Sequence, residues 1–372
     1  FTYNNVVNYD KIFADRHSVK LMGGQEYYEY NTSNFSGTRT QVIMDGMYEP
    51  DAASNLTAFG GNSDQYKLLS FFGSAEYSYD NKYYLSTSVR TDGSSRFAPK
   101  HRWGTFWSAG GSWQVIREKF LEEANKTWLS NLVLRASYGA QGNDNIDYYA
   151  YQALYSIENN LGNNGLIASR LATPNLKWET NLNANIGVDF GFWNNRLSGT
   201  VEYFERNSKD LLFSKDLVPS SGFSSMDANL GKVKNYGWEF TVNGTPISTK
   251  DWKWKLSVNA TTYKNKIVSL PSAEMWSGDN KWVKGGSLYD FYLPKWAGVN
   301  HDDGNPQWYL KDGKTKTEDY SSLTTDDKVK CGNSLPDLYG GIQSDLSYKG
   351  FSLSVLFSYS IGGKIYDRDN LY

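Results

Sequence analysis

An all-β, antiparallel fold is predicted by three features of the sequence, and two of them point further to a transmembrane β-barrel. Apolar and polar residues alternate with a period of two from one end of the chain to the other. The alternating segments run to about ten residues or longer, enough to cross a bilayer at a tilt and longer than the usual five or six of soluble sheets. The connections are also asymmetric, with short links falling on one side of the pattern and long ones on the other. A soluble β-sandwich with an aromatic core satisfies the alternation equally well and remains the alternative on that evidence.

Taken in order, the chain opens in a strand, FTYNNVVNY from Phe1, so the start of a longer protein is expected to be missing. Asp80-Asn81 forms a first short link. Ile116 to Trp128, IREKFLEEANKTW, is the one plausible short helix, with Glu118, Glu122 and Glu123 solvated and Phe120, Leu121 and Trp128 packing. From Thr180 to Phe190 the row Leu182, Ala184, Ile186, Val188, Phe190 opposes Asn181, Asn183, Asn185 and Asp189. Leu197, Val201 and Tyr203 oppose Ser198, Thr200 and Glu202 across the short link Trp193 to Asn195. After Pro246 to Lys250, the row Trp252, Trp254, Leu256, Val258, Ala260 alternates with Lys253, Lys255, Ser257, Asn259 and Thr261, and is expected to face lipid. Beyond Lys349-Gly350, Phe351, Leu353, Val355, Phe357 and Tyr359 oppose serines.

Between these lie the long segments Asn31 to Asp64, Gln141 to Lys177, Asn207 to Ala228, Asn265 to Gly285 and Asp312 to Leu335. All are polar and Gly- or Asn-rich, and they read as loops. Roughly a dozen strands result, an even number if a weak strand at Pro306 to Leu310 is admitted. Short turns then share one side and long loops the other, the plan of an outer-membrane barrel. Aromatics bracket the short turns at Tyr77, Tyr79, Tyr83 and Tyr84, at Phe190, Phe192 and Trp193, and at Tyr348 and Phe351, as an interfacial girdle requires.

Composition agrees and excludes several classes. Aromatics reach 16% of 372 residues and glycines number 34, while mean hydropathy is negative, a profile of pleated surfaces between polar turns. The formal charge of −2, with lysines dispersed among acids, leaves no footprint for nucleic acid. Cys331 stands alone, so a disulfide framework and a Cys-based zinc cluster are excluded. No run of about 18 apolar residues forms a membrane helix, which says nothing about strands.

The material for catalysis is thin. His17, His101 and His301 are isolated, and no P-loop or dinucleotide fingerprint occurs. The acid pairs Glu122-Glu123, Asp302-Asp303 and Asp326-Asp327 read as solvated turns rather than as a glycosidase pair. Asn300 to Asn305, NHDDGN, has the oxygen-rich look of a cation loop without the EF-hand spacing, so the sequence leaves open whether Asp302 and Asp303 hold a cation. Aromatics in the long loops are the better candidates for ligand contact: Tyr149 and Tyr151 (beside Tyr148), Trp276 and Trp282, Trp308 and Tyr309. Flat rings among polar neighbours suit stacking on sugar faces or peptide side chains, although loop-to-loop packing explains any one of them as well.

Several stretches together resemble the barrel of SusC/RagA-like TonB-dependent transporters. Arg90, Asp92, Gly93, Ser94, Ser95, Arg96 and Phe97 form RTDGSSRF with Thr91, followed by Arg102-Trp103-Gly104. Then come LRASYGAQGN (Leu134 to Asn143), PNLKWET (Pro174 to Thr180), RNSKDLL (Arg206 to Leu212), GKVKNYGWEF (Gly231 to Phe240), Trp252 to Ile267, and GNSLPDLYGGIQSDLSYKGFSLSVLFSYSIGG from Gly332. The resemblance implies a plugged barrel of about 22 strands, of which residues 1–372 would be a partial barrel domain, stopping at Tyr372 without the plug, the TonB-contacting box and the last strands. It implies residence in the outer membrane of a Gram-negative bacterium, in contact with its lipid, no catalysis and no cofactor. Its partners would be a SusD-like surface lipoprotein and the TonB complex, the latter through the missing N-terminal part. Its cargo would be an oligosaccharide or, alternatively, an oligopeptide. Asn181, Asn183 and Asn185 would line the lumen. A secreted carbohydrate-binding β-protein and a glycan-degrading β-domain are the competing classes.

Overall fold

The computed structural model describes residues 1–367, so the end at Tyr372 lies outside the described residues. Its strands in chain order are β1 (Thr2–Phe13), β2 (His17–Val42), β3 (Ala53–Tyr79), β4 (Tyr83–Ser94), β5 (Trp103–Gln114), β6 (Leu129–Asn143), β7 (Leu154–Asn160), β8 (Asn163–Arg170), β9 (Glu179–Phe192), β10 (Leu197–Lys209), β11 (Leu212–Asp216) and β12 (Ser225–Asn229). They continue as β13 (Lys232–Ser248), β14 (Trp252–Thr261), β15 (Lys264–Ser269), β16 (Glu274–Ser277), β17 (Asn280–Val283), β18 (Asp290–Val299), β19 (Pro306–Tyr309), β20 (Lys316–Thr317), β21 (Lys328–Asn333), β22 (Pro336–Tyr348) and β23 (Phe351–Gly362).

Twelve of these form one antiparallel wall in the order β1-β2-β3-β4-β5-β6-β9-β10-β13-β14-β22-β23, every neighbour being the next wall strand in sequence, with β15 attached to β13. The remaining strands are hairpins and a small sheet built within the long connections. Among the described residues β1 pairs only with β2 and β23 only with β22, so the wall has two open edges.

Alternation sorts the side chains of the wall into two surfaces. Val242, Val258, Ile342 and Phe357 lie side by side across four strands, and the adjacent row is Thr241, Asn259, Gly341 and Ser358. The polar surface is concave, enclosing a hollow of about 600 Å³ lined by Lys20, Glu76, Ser112, Arg135, Ser137 and Asn185. Arg135 is held there by Asp189 at 3.0 Å and Glu202 at 2.8 Å. The apolar rows therefore face outward, where only lipid offers them a solvent. Register also fixes tilt: Phe13 lies in line, strand by strand, with Tyr359, which stands eight residues beyond Phe351 at the start of β23. That stagger over the wall corresponds to strands inclined by about 30°.

All short connections fall at one end. Asp80 and Asn81 take φ of 54° and 51°, and Trp193, Asn194 and Asn195 take 52° to 60°, the left-handed pair that tight hairpins need to match strand twist. A further turn at Ala14 to Arg16, with Ala14 and Asp15 at φ 47° and 54°, was not foreseen because it contains no Gly or Asn. Aromatic rings gather at this end: Tyr79 on Tyr83 and Tyr83 on Trp113 at 6.4 and 6.3 Å, Trp128 on Phe192 at 5.7 Å, Trp252 on Tyr348 at 4.1 Å.

Three expectations are corrected. Asn31 to Asp64 is not a loop: β2 and β3 run for 26 and 27 residues, and above Tyr28 and Leu68, where pairing with β1 and β4 ends, they continue as a free two-stranded ribbon. Its Phe35 and Phe59 rings meet edge-on at 4.9 Å. The segment from Ile116 contains only a six-residue helix, Glu122–Thr127, preceded by two 3-10 turns. Its Glu118 is not solvated but accepts from Tyr83 Oη at 2.5 Å and Trp113 Nε1 at 3.1 Å, while Phe120 is 70% exposed. Finally, Pro306–Tyr309 is a strand of the loop sheet, not of the wall. The wall reaches twelve strands, an even number, without it.

Candidate ligand-binding site

The long-connection end consists of a clamped rim and, beyond it, a sheet carrying a row of partly exposed rings. The RTDGSSRF stretch makes the clamp. Arg90 reaches across three strands, donating to Asp92 at 2.6 Å, Ser70 at 2.8 Å and Glu26 at 3.1 Å. Ser94 and Tyr66 both donate to Asp144, at 2.6 and 2.8 Å, and Arg96 lies between the rings of Tyr66 and Tyr148 at 4.8 and 5.0 Å. Ser95 accepts from the Lys67 backbone N–H at 2.9 Å. Gly93 faces the Trp103 indole so closely that a Cβ would come to 3.0 Å. Phe97 is fully buried with Ala150 and Leu176 and packs on Trp178 at 5.5 Å, contributing about 1.5–3 kcal/mol by burial. The seven motif residues thus tie the β4–β5 connection to the β6–β9 connection and position the rim, where Arg96 also lines a hollow of about 500 Å³ with Asn145, Asp147, Tyr148 and Arg170.

The β14–β22 connection builds the second part. Here β16 to β21 form a six-stranded sheet whose polar centre is Asp290, 2% exposed. Its carboxylate accepts from Lys330 Nζ at 2.7 Å, Asn333 Nδ2 at 2.8 Å and the Ser287 N–H at 3.0 Å. Burial pushes its pKa up, but these three donors outweigh it and hold the carboxyl below the usual range. With β18 fixed in this way, Tyr292 and Trp296 fall on one face by strand alternation. Trp276 meets Tyr292 edge-on at 6.1 Å; Trp308 meets Trp296 at 5.8 Å and Tyr320 at 5.1 Å. Trp296 is 54% exposed and Tyr320 48%. The result is a run of rings about 13 Å long between Tyr292 and Trp296 alone, at the strand rise.

The residues singled out from sequence are distributed unevenly over this surface. Trp276 and Trp308 belong to the ring run. Trp282 turns inward, donating to the Leu288 carbonyl at 3.0 Å and packing on Phe213 at 5.4 Å. Tyr309 stands on the other face, in register with Lys295 and Lys316. Tyr149 and Tyr151 lie in the β6–β9 connection, where they accept from the Gln65 N–H at 3.2 Å and from Gln152 Nε2 at 2.9 Å. No ring pair joins them to the tryptophans among the described residues. Trp296, Tyr292 and Tyr320 went unrecognised; the alternation Tyr292, Pro294, Trp296 was the available signal. The NHDDGN turn closes on itself, with Asn305 donating to Asp303 at 3.0 Å and Asn300 to Glu318 at 2.7 Å. No group of three or more potential metal ligands occurs among the described residues.

On the concave wall, Asn183 accepts from Arg206 at 2.8 Å, Asn181 from Ser208 at 2.5 Å, and Asn185 donates to Ser137 at 3.4 Å, a polar ladder across three strands.

A tilted antiparallel meander with an outward apolar surface, a polar hollow, an aromatic girdle at the short turns and elaborated long connections defines an outer-membrane β-barrel wall. The chain belongs to the family described as TonB dependent receptor-like, beta-barrel, whose model matches residues 1–366. The family is one of receptors and transporters, not enzymes. Within it the chain is SusC/RagA-like. It is 30% identical to the TonB-dependent receptor SusC of Bacteroides thetaiotaomicron over 98% of its own length and 38% of that protein. It is also 30% identical to the TonB-dependent receptor P3 of Formosa agariphila, over 97% of this chain and 38% of that one. The structure of the RagAB peptide transporter superposes with a TM-score of 0.86 at 30% identity, covering 97% of this chain and 41% of that chain. The outer membrane transporter YddB of Escherichia coli, at 13% identity and TM-score 0.55, shares the fold alone. The chain spans about two fifths of the length of these relatives.

Proposed function

We propose that this chain supplies wall and ligand face to a TonB-dependent importer of oligosaccharides that works with a SusD-like surface lipoprotein as its lid. Residues 1–372 would all belong to the barrel domain, with the plug and TonB-contacting box elsewhere in the receptor. The observation that carries the cargo is the run of Trp296, Trp308 and Tyr320 at the long-connection end, with Trp296 and Tyr320 exposed on either side of a half-buried Trp308. Indole and phenol rings offer flat apolar area with few rotamers to freeze, and they match the C–H faces of sugars while their edges stay wet. The polar ladder Asn181, Asn183, Asn185 offers the hydroxyl partners farther in. An oligopeptide cargo is the second reading, favoured by the likeness to a peptide transporter.

Uptake of labelled oligosaccharide by cells carrying the complete receptor and its lipoprotein tests this. Trp296→Ala and Trp308→Ala should each weaken uptake with folded receptor per cell unchanged, whereas neutralising Glu122, Asp302 or Asp303 should not. Peptide uptake that depends on the same tryptophans, or ligand emerging chemically altered, would reject the oligosaccharide reading.

A further inference from the structure

The lysines on the strands of the loop sheet fall into two groups. Lys281 is paired with Glu274 at 2.6 Å and Lys330 with Asp290 at 2.7 Å. Lys295, Lys316 and Lys328 have no carboxylate within 4 Å among the described residues, and each stands over an aromatic ring instead. Lys328 lies 5.3 Å from the Trp276 centroid. Lys295 and Lys316 lie 5.4 and 5.8 Å from that of Tyr309. The last three form a cross-strand row, Lys295 of β18, Tyr309 of β19 and Lys316 of β20 being register partners on one face. Lys316 also donates weakly to the Ala297 carbonyl and Gln307 Oε1, at 3.3 and 3.5 Å, which orients it without neutralising it.

Both ammonium groups are exposed beside one ring and neither contacts a carboxylate, the nearby Glu318 being engaged by Asn300, Asn305 and Gln307, so the row presents positive charge to an incoming anion. We infer that the Lys295–Tyr309–Lys316 row binds an anionic sugar unit, so that the cargo is an oligosaccharide carrying carboxylate or sulfate groups. The ring takes the apolar face of the sugar and the two ammonium groups take its acid substituent through charge-assisted hydrogen bonds. A neutral sugar gains only the ring. The inference rests on the oligosaccharide reading and narrows it; Lys328 over Trp276 gives the ring run on the opposite face a similar charge.

Calorimetric titration of the complete receptor in detergent tests the assignment with four probes: an oligogalacturonate, a sulfated galactan oligosaccharide, a neutral galactan oligosaccharide and an oligoglutamate. One or both anionic sugars should bind, more weakly as salt rises. The double variant Lys295→Gln/Lys316→Gln should weaken that binding about tenfold, the scale of two exposed charge contacts. Lys295→Arg/Lys316→Arg should retain it, and affinity for the neutral sugar should not change in either variant. Anionic sugar affinity indifferent to the double variant overturns the inference. So does oligoglutamate binding with the same lysine dependence while sugars are ignored. Neutral sugar bound through Trp296 while neither anionic sugar binds overturns this inference and leaves oligosaccharide import standing; no sugar binding of any kind removes both.

Discussion

The outward orientation of the apolar rows can be tested at two adjacent residues of β14, an interior strand flanked by β13 and β22. Leu256 lies opposite Gly244 and Ser344, two residues from Val258 and its neighbours Val242 and Ile342 on the outward surface. Ser257 lies on the opposite, polar face of the wall with Asn243 and Gln343, and donates to Asn243 at 2.7 Å. Leu256 is four residues from Trp252, whose ring stacks on Tyr348 in the girdle. At the strand rise and the tilt of the wall, that places it about 10 Å into an apolar band of about 25 Å. Leu256→Arg should therefore lose about 2–4 kcal/mol, whereas Ser257→Arg should lose little, since its charge meets water and polar side chains. A loss of that size changes the ratio of folded to unfolded barrel by roughly 30- to 1,000-fold. Urea titration of the complete receptor in lipid vesicles, read by the mobility of the heat-resistant folded band, measures the difference. Equal losses at the two positions, or a larger one at Ser257, would falsify the outward assignment.

Two further outcomes follow from the long-connection end. A small epitope inserted at Gly162, in the turn between β7 and β8, should be labelled on intact cells, and one at Asn194, in a short turn, should not; the reverse pattern would invert the orientation. Asp290 has a folded pKa held below its unfolded value, so the stability it contributes is present above about pH 4 and is lost as pH falls through the depressed value. Amide exchange around Ser287 and Asn333 should accelerate on acidification below about pH 4, and Asp290→Asn should flatten that response; identical acid profiles for the two proteins would exclude Asp290 as the group responsible.

How much the sequence reveals depends on how many faces of a segment are wet. Trp252–Thr261 was legible to the residue because one face meets lipid and the other water, which forces strict alternation. The ribbon from Asn31 to Asp64 has water on both faces, so its pairing leaves no apolar period and its Gly, Asn and Ser content reads as loop. Pro306–Tyr309 was recognisable as a strand but not assignable to a sheet, since four residues carry no information about their partner. The site was less legible than the wall. Trp276 and Trp308 were found by residue type, yet nothing local distinguishes them from Trp282, whose indole N–H turns inward to a backbone carbonyl. Trp296 was hidden between a proline and a glycine-containing bend. Asp290 was hidden altogether, because its three donors come from Ser287, Lys330 and Asn333, up to 43 residues away. The RTDGSSRF stretch was recognisable from its residues, but its role as a rim clamp is visible only once Asp144 and Tyr148 are seen beside it.

The strictly sequential order of the wall bears on how it assembles. Most neighbouring strands are joined by a few residues or by a hairpin, so their contacts are local and can zip in succession from the short turns. The pairing of β14 with β22 is different: residues 262–335 intervene. Closing that interval as a flexible chain costs roughly 3 kcal/mol more than closing a three-residue turn. The cost falls if β16 to β21 fold first, since their sheet draws Thr261 and Pro336 together before the wall strands meet. The loop sheet is then a folding scaffold as well as the ligand surface proposed above, and lesions in its Asp290 centre would delay insertion at this one seam while leaving the first ten wall strands free to pair.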